Sequence, residues 1–190
     1  MGEELESIKS IERQTYKNLE IIIEYDYYER GASATRNTGA LKASGEYILF
    51  CDNDINLVPD AIESMYNAIK DTDYAWCFGK LQIGETILNE DRQQIDYSLT
   101  GKEFVLQFKS ISTVSLIKSY VKPIFDISMM RNNDWDLWLR MTLDGHKAYF
   151  LNKILFTTKD RDFGQGISTG LHGTASAWEK EIMRRYEKRD

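Results

Sequence analysis

Hydrophobic and polar positions along this chain switch between two periods. Leu5, Ile8, Ile11 and Glu12 recur at helical spacing and predict a helix over about residues 3–13. Leu19-Glu20-Ile21-Ile22-Ile23-Glu24-Tyr25 is too short and too β-branched for a helix and predicts a buried strand. Gly31 opens a second short helix containing Arg36-Asn37, and Gly45 punctuates before a near-continuous apolar strand over 46–51. Strands of that kind are usually buried on both faces, as in parallel sheets. Pro59 sits where a third helix would start, with Asp60 in its first turn. Ile62, Met65, Tyr66 and Ile69 follow as an apolar stripe facing a core. The order α-β-α-β-α argues for an α/β domain with a parallel sheet.

After Asp73 the texture changes. Residues 74–83 read as a strand, 84–110 as an irregular polar excursion with short elements, and 111–118 as a strand or strand-to-loop edge. Residues 133–144 form a strong helix pattern, with Trp135, Trp138, Leu139 and Thr142 on one face and Gly145 as its C-terminal cap. A strand over 147–157 and a helix over 174–188, with Trp178, Ile182 and Tyr186 four apart, complete the chain. No internal repeat or low-complexity linker divides it.

Composition narrows the class. At 190 residues, with 42% hydrophobic and 28% charged positions and two prolines, the chain is long enough for one well-packed domain, and it is neither disordered nor collagen-like. A formal net charge of −6 argues against non-specific nucleic-acid binding. The basic run Arg184, Arg185, Lys188, Arg189 is interleaved with Glu179, Glu181 and Glu187 and reads as a solvated helix face. The two cysteines, Cys51 and Cys77, lie in apolar runs and read as small buried hydrophobes of a reducing compartment. With His146 and His172 they offer no zinc spacing. No apolar stretch approaches membrane-spanning length, and the acidic start Met1-Gly2-Glu3-Glu4 does not read as a signal peptide. The expected location is the cytoplasm, with a peripheral place at a membrane left open.

Three segments carry candidate chemistry. Asp52-Asn53-Asp54 follows the strand ending at Cys51; in extended backbone its two carboxylates would project to the same side, at the strand end where open α/β sheets bind ligands. Two oxygen ligands suit Mg2+ or Mn2+. An ordinary polar turn is the plainer reading of the same residues. Asn133-Asp134-Trp135-Asp136-Leu137-Trp138 opens a helix anchored by two tryptophans, with Asp134 either an ordinary helix-start acid or a general base. Arg30 to Gly39 is rich in small residues at a helix start, which allows close backbone approach and favours anions, but it matches neither the Walker loop nor the dinucleotide fingerprint.

Taken in order, Gln14 to Ile23, Gly31 to Ala40, Gly45 to Asp54 and Asn133 to Arg140 resemble the family 2 glycosyltransferases of the GT-A fold over residues 8 to about 157. The segment Leu155 to Lys159, followed by Gly166-Ile167-Ser168, is similar to the loop that closes that family's active site. The resemblance implies a single domain over 1–190 with a GT-A-like mixed, mostly parallel central sheet flanked by helices. Residues 1–73 would form the nucleotide-sugar half and 74–190 the acceptor half. It implies an inverting, metal-assisted transfer of a sugar from a nucleotide-diphospho-sugar, with uridine the family's usual base, to a hydroxyl of a glycan, lipid-linked or protein acceptor. On this resemblance Asp134 is the catalytic base, Asp52 and Asp54 hold Mn2+ or Mg2+, and Asp26, Arg36, Asp52, Asp54, Lys159 and Arg161 serve the donor. No nucleic-acid partner is implied.

The match has gaps. The family opens with a strand ending in a Pro-Thr-Tyr-Asn-like loop ahead of the helix that here begins at about residue 3. It shows an Asp-Asp pair where Tyr25-Asp26 stands, and an acid where Asn133 stands. These departures motivate a rival reading, a catalytically degenerate domain that binds a glycan or partner, and they suggest an open sheet edge able to pair with a second chain as a homodimer. A metal-dependent nucleotidyl transferase or phosphatase also uses paired acids, but it does not account for the helix at Asn133.

Overall fold

The structure is a computed structural model and describes residues 2–158 and 175–188. Helix α1 (Gly2–Glu12) leads to a long extended segment, then come α2 (Ala32–Lys42), strands β1 (Tyr47–Leu49) and β2 (Ile55–Leu57), and α3 (Ala61–Ile69). Strands β3 (Trp76–Ile83) and β4 (Thr86–Leu88), helix α4 (Gly101–Leu106), strand β5 (Leu116–Lys118) and a single 3-10 turn follow. Helix α5 (Asn133–Leu143), strand β6 (Ala148–Thr158) and helix α6 (Ala175–Tyr186) end the described chain.

The sheet runs β1-β5-β3-β6-β2, with β4 added to β3. Its most extensive pairing, β3 with β6, is parallel, as expected for the centre of an α/β sheet. The four pairings around it are antiparallel, so the sheet is mixed. In particular β1, read from its apolar run as a strand buried on both faces, is a half-buried terminal strand paired antiparallel with β5.

Alternation along β3 divides the core. Trp76 and Phe78 point to one face, where Trp135, Trp138 and Met141 of α5, Ile182 and Tyr186 of α6 and Val105 of α4 pack. Cys77 points to the other face, with Ile62, Met65 and Ile69 of α3 and with Leu57, Leu116 and Phe156. Trp76 and Trp138 stack with ring centroids 4.3 Å apart and planes 11° apart, which fixes α5 on the sheet. The indole N–H groups of Trp135 and Trp138 donate to the carbonyls of Val105 and Ile111 at 2.9 and 3.1 Å. Helix α5 ends as the sequence pattern predicts. Gly145 takes φ +88°, and the N–H groups of Gly145 and His146 return to the carbonyls of Thr142 and Met141.

At the other end of the sheet, α1 caps the outer edge of β2 with polar side chains. Ser10 Oγ accepts from the Leu57 N–H at 3.1 Å, while the buried Gln14 amide donates to the Val58 carbonyl and accepts from the Ile62 N–H. These bonds satisfy backbone groups that no neighbouring strand takes.

Residues 19–25 are not the buried strand that their composition predicts. They are extended, but no strand pairs with them among the described residues. The acids explain the difference. Glu20 accepts from the Ser44 and Gly45 N–H groups, Glu24 pairs with Lys42, and Asp26 accepts from the N–H groups of Arg30 and Gly31. With these even positions committed to polar partners beside α2, the odd ones face out, and Leu19, Ile21 and Ile23 are 36%, 44% and 48% exposed.

Candidate active site

Four segments converge where the sequence places chemistry: the N-terminal half of α2, the turn after β1, the loop 122–132 and the first turn of α5. The Asp-Asn-Asp segment is a β-turn and not extended backbone, because the Ile55 N–H bonds back to the Asp52 carbonyl at 3.1 Å. Asp and Asn favour such turns. Strand alternation therefore does not set how Asp52 and Asp54 project. Ser7 of α1 holds the same Asp52 carbonyl at 3.2 Å.

Arg36 is the hub. Its Nη2 donates to both oxygens of Asp52, at 2.8 and 2.9 Å, and its Nε donates to Oδ1 at 3.2 Å. Its Nη1 reaches Asn133 Oδ1 at 3.5 Å, and Asn133 Nδ2 donates to Ser33 Oγ at 2.9 Å. The guanidinium lies 5.3 Å from the Phe125 ring centroid. Phe125 is tied to α2 by two bonds with Asn37: its carbonyl accepts from Nδ2 at 2.9 Å and its N–H donates to Oδ1 at 2.8 Å. One helix thus joins the acidic turn to the start of α5.

Asp134 lies in that start, the second residue of α5. Burial pushes its carboxyl above the ordinary value, and the nearby charge of Asp52 adds to this; the Trp135 N–H, donating to Oδ1 at 2.8 Å, and the field of Arg36 oppose it. A carboxylate whose proton affinity is raised by its surroundings is suited to accept a proton near neutral pH. Two residues on, Asp136 is fully buried and accepts from Arg140 Nε at 2.8 Å, Tyr186 OH at 2.6 Å and Arg185 Nη1 at 3.2 Å. Arg185 also donates to Asp126 at 2.7 Å. Helix α6 is therefore bound to the catalytic-base candidate's own helix by ion pairs, and the expectation of a wholly solvated basic face holds for Arg184 but not for Arg185, whose side chain is 24% exposed.

The other expected site residues fare differently. Both carboxylate oxygens of Asp26 are taken by backbone N–H groups, so it braces the turn ahead of α2. Asp54 lies in the turn beside Asp52. Lys159 and Arg161 lie outside the described residues. Neither cysteine is an activated thiol, since burial pushes Cys51 up to about 11 and Cys77 up to about 12. A surface hollow of about 520 Å³ is lined by residues 89–95 and Gln107, and none of the acids above takes part in it.

The fit of a divalent cation can be judged from the donor set. No three His, Cys, Asp or Glu side chains gather to hold a metal among the described residues. Asp52, expected as one of two metal ligands, has both oxygens bonded to a guanidinium. Asp52, so engaged, does not fit as a ligand to such an ion.

Ser33, Phe125 and Asp136 are working parts that the sequence pattern does not pick out; Asn37 stands in the Arg36-Asn37 pair without a role of its own there. Only Asp136 leaves a local signal, since it stands four residues before Arg140 on a helix.

The mixed sheet, with helices on both faces and acids gathered at one end of α2 and α5, is the fold of the GT-A glycosyltransferases. A crystal structure of S. aureus TarS 1-349 in complex with UDP-GlcNAc matches with a TM-score of 0.72 at 14% identity, covering 96% of this chain and 61% of that one. The chain belongs to glycosyl transferase family 2, whose model matches residues 27–155. Among curated relatives, an uncharacterized glycosyltransferase of Methanocaldococcus jannaschii is 23% identical over 79% of this chain and 63% of its own length. The GalNAc(5)-diNAcBac-PP-undecaprenol beta-1,3-glucosyltransferase of Campylobacter jejuni is 24% identical over 77% of this chain and 57% of its own. The chain thus spans about three fifths of the length of these relatives. No helix among the described residues is long and apolar enough to cross a membrane.

Proposed function

We propose that this domain transfers a sugar from a nucleoside-diphosphate sugar, uridine-linked, to a hydroxyl acceptor with inversion at the anomeric carbon, and that Asp134 is the base. The observation that carries the reading is the position of Asp134. It opens α5 beside the Arg36–Asp52 pair, with its proton affinity raised by burial. In the reaction the acceptor oxygen attacks the anomeric carbon from the face opposite the leaving diphosphate. Asp134 takes the hydroxyl proton as the new C–O bond forms, and the nucleoside diphosphate departs with the bonding pair. In this reading residues 1–73, with Arg36 and Asp52, serve the donor, and residues 74–190, with Asn133 and Asp134, serve the acceptor. Lys159 and Arg161 are proposed to place positive charge over the diphosphate. A divalent cation would neutralise charge on the diphosphate oxygens; with Asp52 engaged by Arg36, this role in the motif falls to Asp54. TarS, which shares the fold, forms a complex with UDP-GlcNAc, and this supports the donor class. The Campylobacter relative is a glucosyltransferase named for an undecaprenol-linked glycan, and this supports a lipid-linked acceptor.

A second reading is favoured by one observation: Asp26 and Asp52, two acids assigned to the donor, are both spent on internal bonds. A domain that binds a glycan or a partner without catalysis would tolerate that. The deciding experiment is a screen of nucleotide-sugars against undecaprenyl-diphosphate-linked and free sugar acceptors, with product configuration read by NMR. Transfer with inversion supports the enzyme. Absence of transfer and of hydrolysis for every donor, with no UDP binding by calorimetry, refutes it.

A further inference from the structure

We propose that Asp52 is a positioning residue locked by Arg36 and not a cation ligand, so that the acidic turn and the first turn of α5 form one braced unit. The inference rests on the donor class proposed above only for the choice of probe. Three N–H···O contacts between 2.8 and 3.2 Å occupy both Asp52 oxygens. A carboxylate offers about four lone-pair directions in all, and the guanidinium fork is the partner best matched to it. A divalent cation on the same oxygens would stand beside a fixed positive charge and be repelled by it.

Arg36 has little room to withdraw. Its side chain is 16% exposed, with the Phe125 ring on one side and Asn133 at Nη1. Asn133 and Phe125 are themselves held by Ser33 and Asn37 of the helix that carries Arg36. The Asp52 backbone is fixed as well, through Ser7 and through the turn bond to Ile55. Opening the pair would release the turn from Arg36, the side chain that also touches the Phe125 ring and Asn133 at the start of α5. The path of contacts stops at Asn133, one residue before Asp134, and this is how Asp52 acts on the reaction: it orients Arg36, and Arg36 reaches Asn133.

The test measures Mn2+ binding to the full chain with UDP present, by the loss of free-Mn2+ signal in electron paramagnetic resonance. The proteins compared are the wild type, Asp52→Asn, Asp54→Asn and Arg36→Lys. The expected result is that Asp52→Asn and Arg36→Lys weaken Mn2+ by less than about tenfold while turnover falls and donor KM changes little. A loss beyond about 100-fold in Asp52→Asn, more than an outer-shell partner commands, would make Asp52 a ligand and overturn the proposal. An independent arm uses urea unfolding without metal or nucleotide. Arg36→Lys and Asp52→Asn should be coupled by roughly two- to 150-fold in the unfolding constant, the span of directly interacting pairs, and strict additivity would refute the lock. If the wild type binds neither UDP nor Mn2+, the donor reading falls, and the unfolding cycle alone decides whether the lock exists.

Discussion

Tyr186→Phe removes one oxygen from a position where the energetic consequence can be worked out. The Tyr186 hydroxyl donates to Asp136 Oδ1 at 2.6 Å, and Asp136 has no exposed surface. Burial and the bond to the Asp136 carboxylate both raise the phenol's proton affinity, so the hydroxyl remains a donor across the working pH range. The ring is buried and stays in place in the variant, so no cavity larger than a hydroxyl forms. What is lost is a hydrogen bond to a buried charge, worth about 1.5–3 kcal/mol. Arg140 and Arg185 still face the carboxylate, which keeps the cost below the figure of about 3–5 kcal/mol for stripping a buried charge of its partner. At this chain length the melting point should fall by about 3–12 °C. Urea unfolding followed by tryptophan fluorescence is the assay, because Trp135 and Trp138 share the helix that Tyr186 braces. A change smaller than about 0.5 kcal/mol, the size of a neutral surface substitution, would refute the binding of α6 through Asp136.

Other expectations follow from the same geometry. Asp134→Asn should be more stable than the wild type at neutral pH. Its native carboxyl has a raised proton affinity, so the wild type loses stability as pH rises through that value; equal stabilities at pH 7 and below 3.8 would contradict this. Asp126 behaves in the opposite sense. Burial opposes its charge, but Arg185 and Ser128 outweigh burial and hold it down at about 2. Its contribution is therefore present above the ordinary value of 3.8 and lost as pH falls through about 2, and Asp126→Asn should flatten that part of an acid-unfolding curve read by circular dichroism. Gly79→Ala should destabilise the domain by about 1–3 kcal/mol in urea. A β-carbon there would stand 2.5 Å from Leu155 Cδ1 and 2.9 Å from the Lys153 carbonyl oxygen, at the register shift between β3 and β6.

Local periodicity made α1, α2, α3, α5 and α6 and most strands legible, whereas α4 and β4 lie in the stretch read as irregular. The six residues from Asn133 to Trp138 announce a helix whose indoles face inward, and Trp135 and Trp138 do so. Apolar content misled at residues 19–25, because composition does not say which face of an extended segment meets the protein. That was decided by Glu20, Glu24 and Asp26, whose partners lie 4 to 25 residues away. The acidic turn misled for a related reason. Asp52-Asn53-Asp54 continues a strand by its neighbours but forms a turn by its own chemistry, and Arg36, 16 positions earlier, pairs with both Asp52 oxygens. The clamp on Asp136 was half visible. Arg140 stands one helical turn away, whereas Arg185 and Tyr186 arrive from 49 and 50 positions along the chain.

The central claim is that Asp134 takes the acceptor's proton. Its most direct measurement is single-turnover transfer from a UDP-sugar by the wild type and by Asp134→Asn, with UDP binding measured on both proteins. UDP affinity should be kept within about threefold while the transfer rate falls by about 10²–10⁴, the size of general-base assistance. An Asp134→Asn protein that transfers at the wild-type rate would contradict the claim.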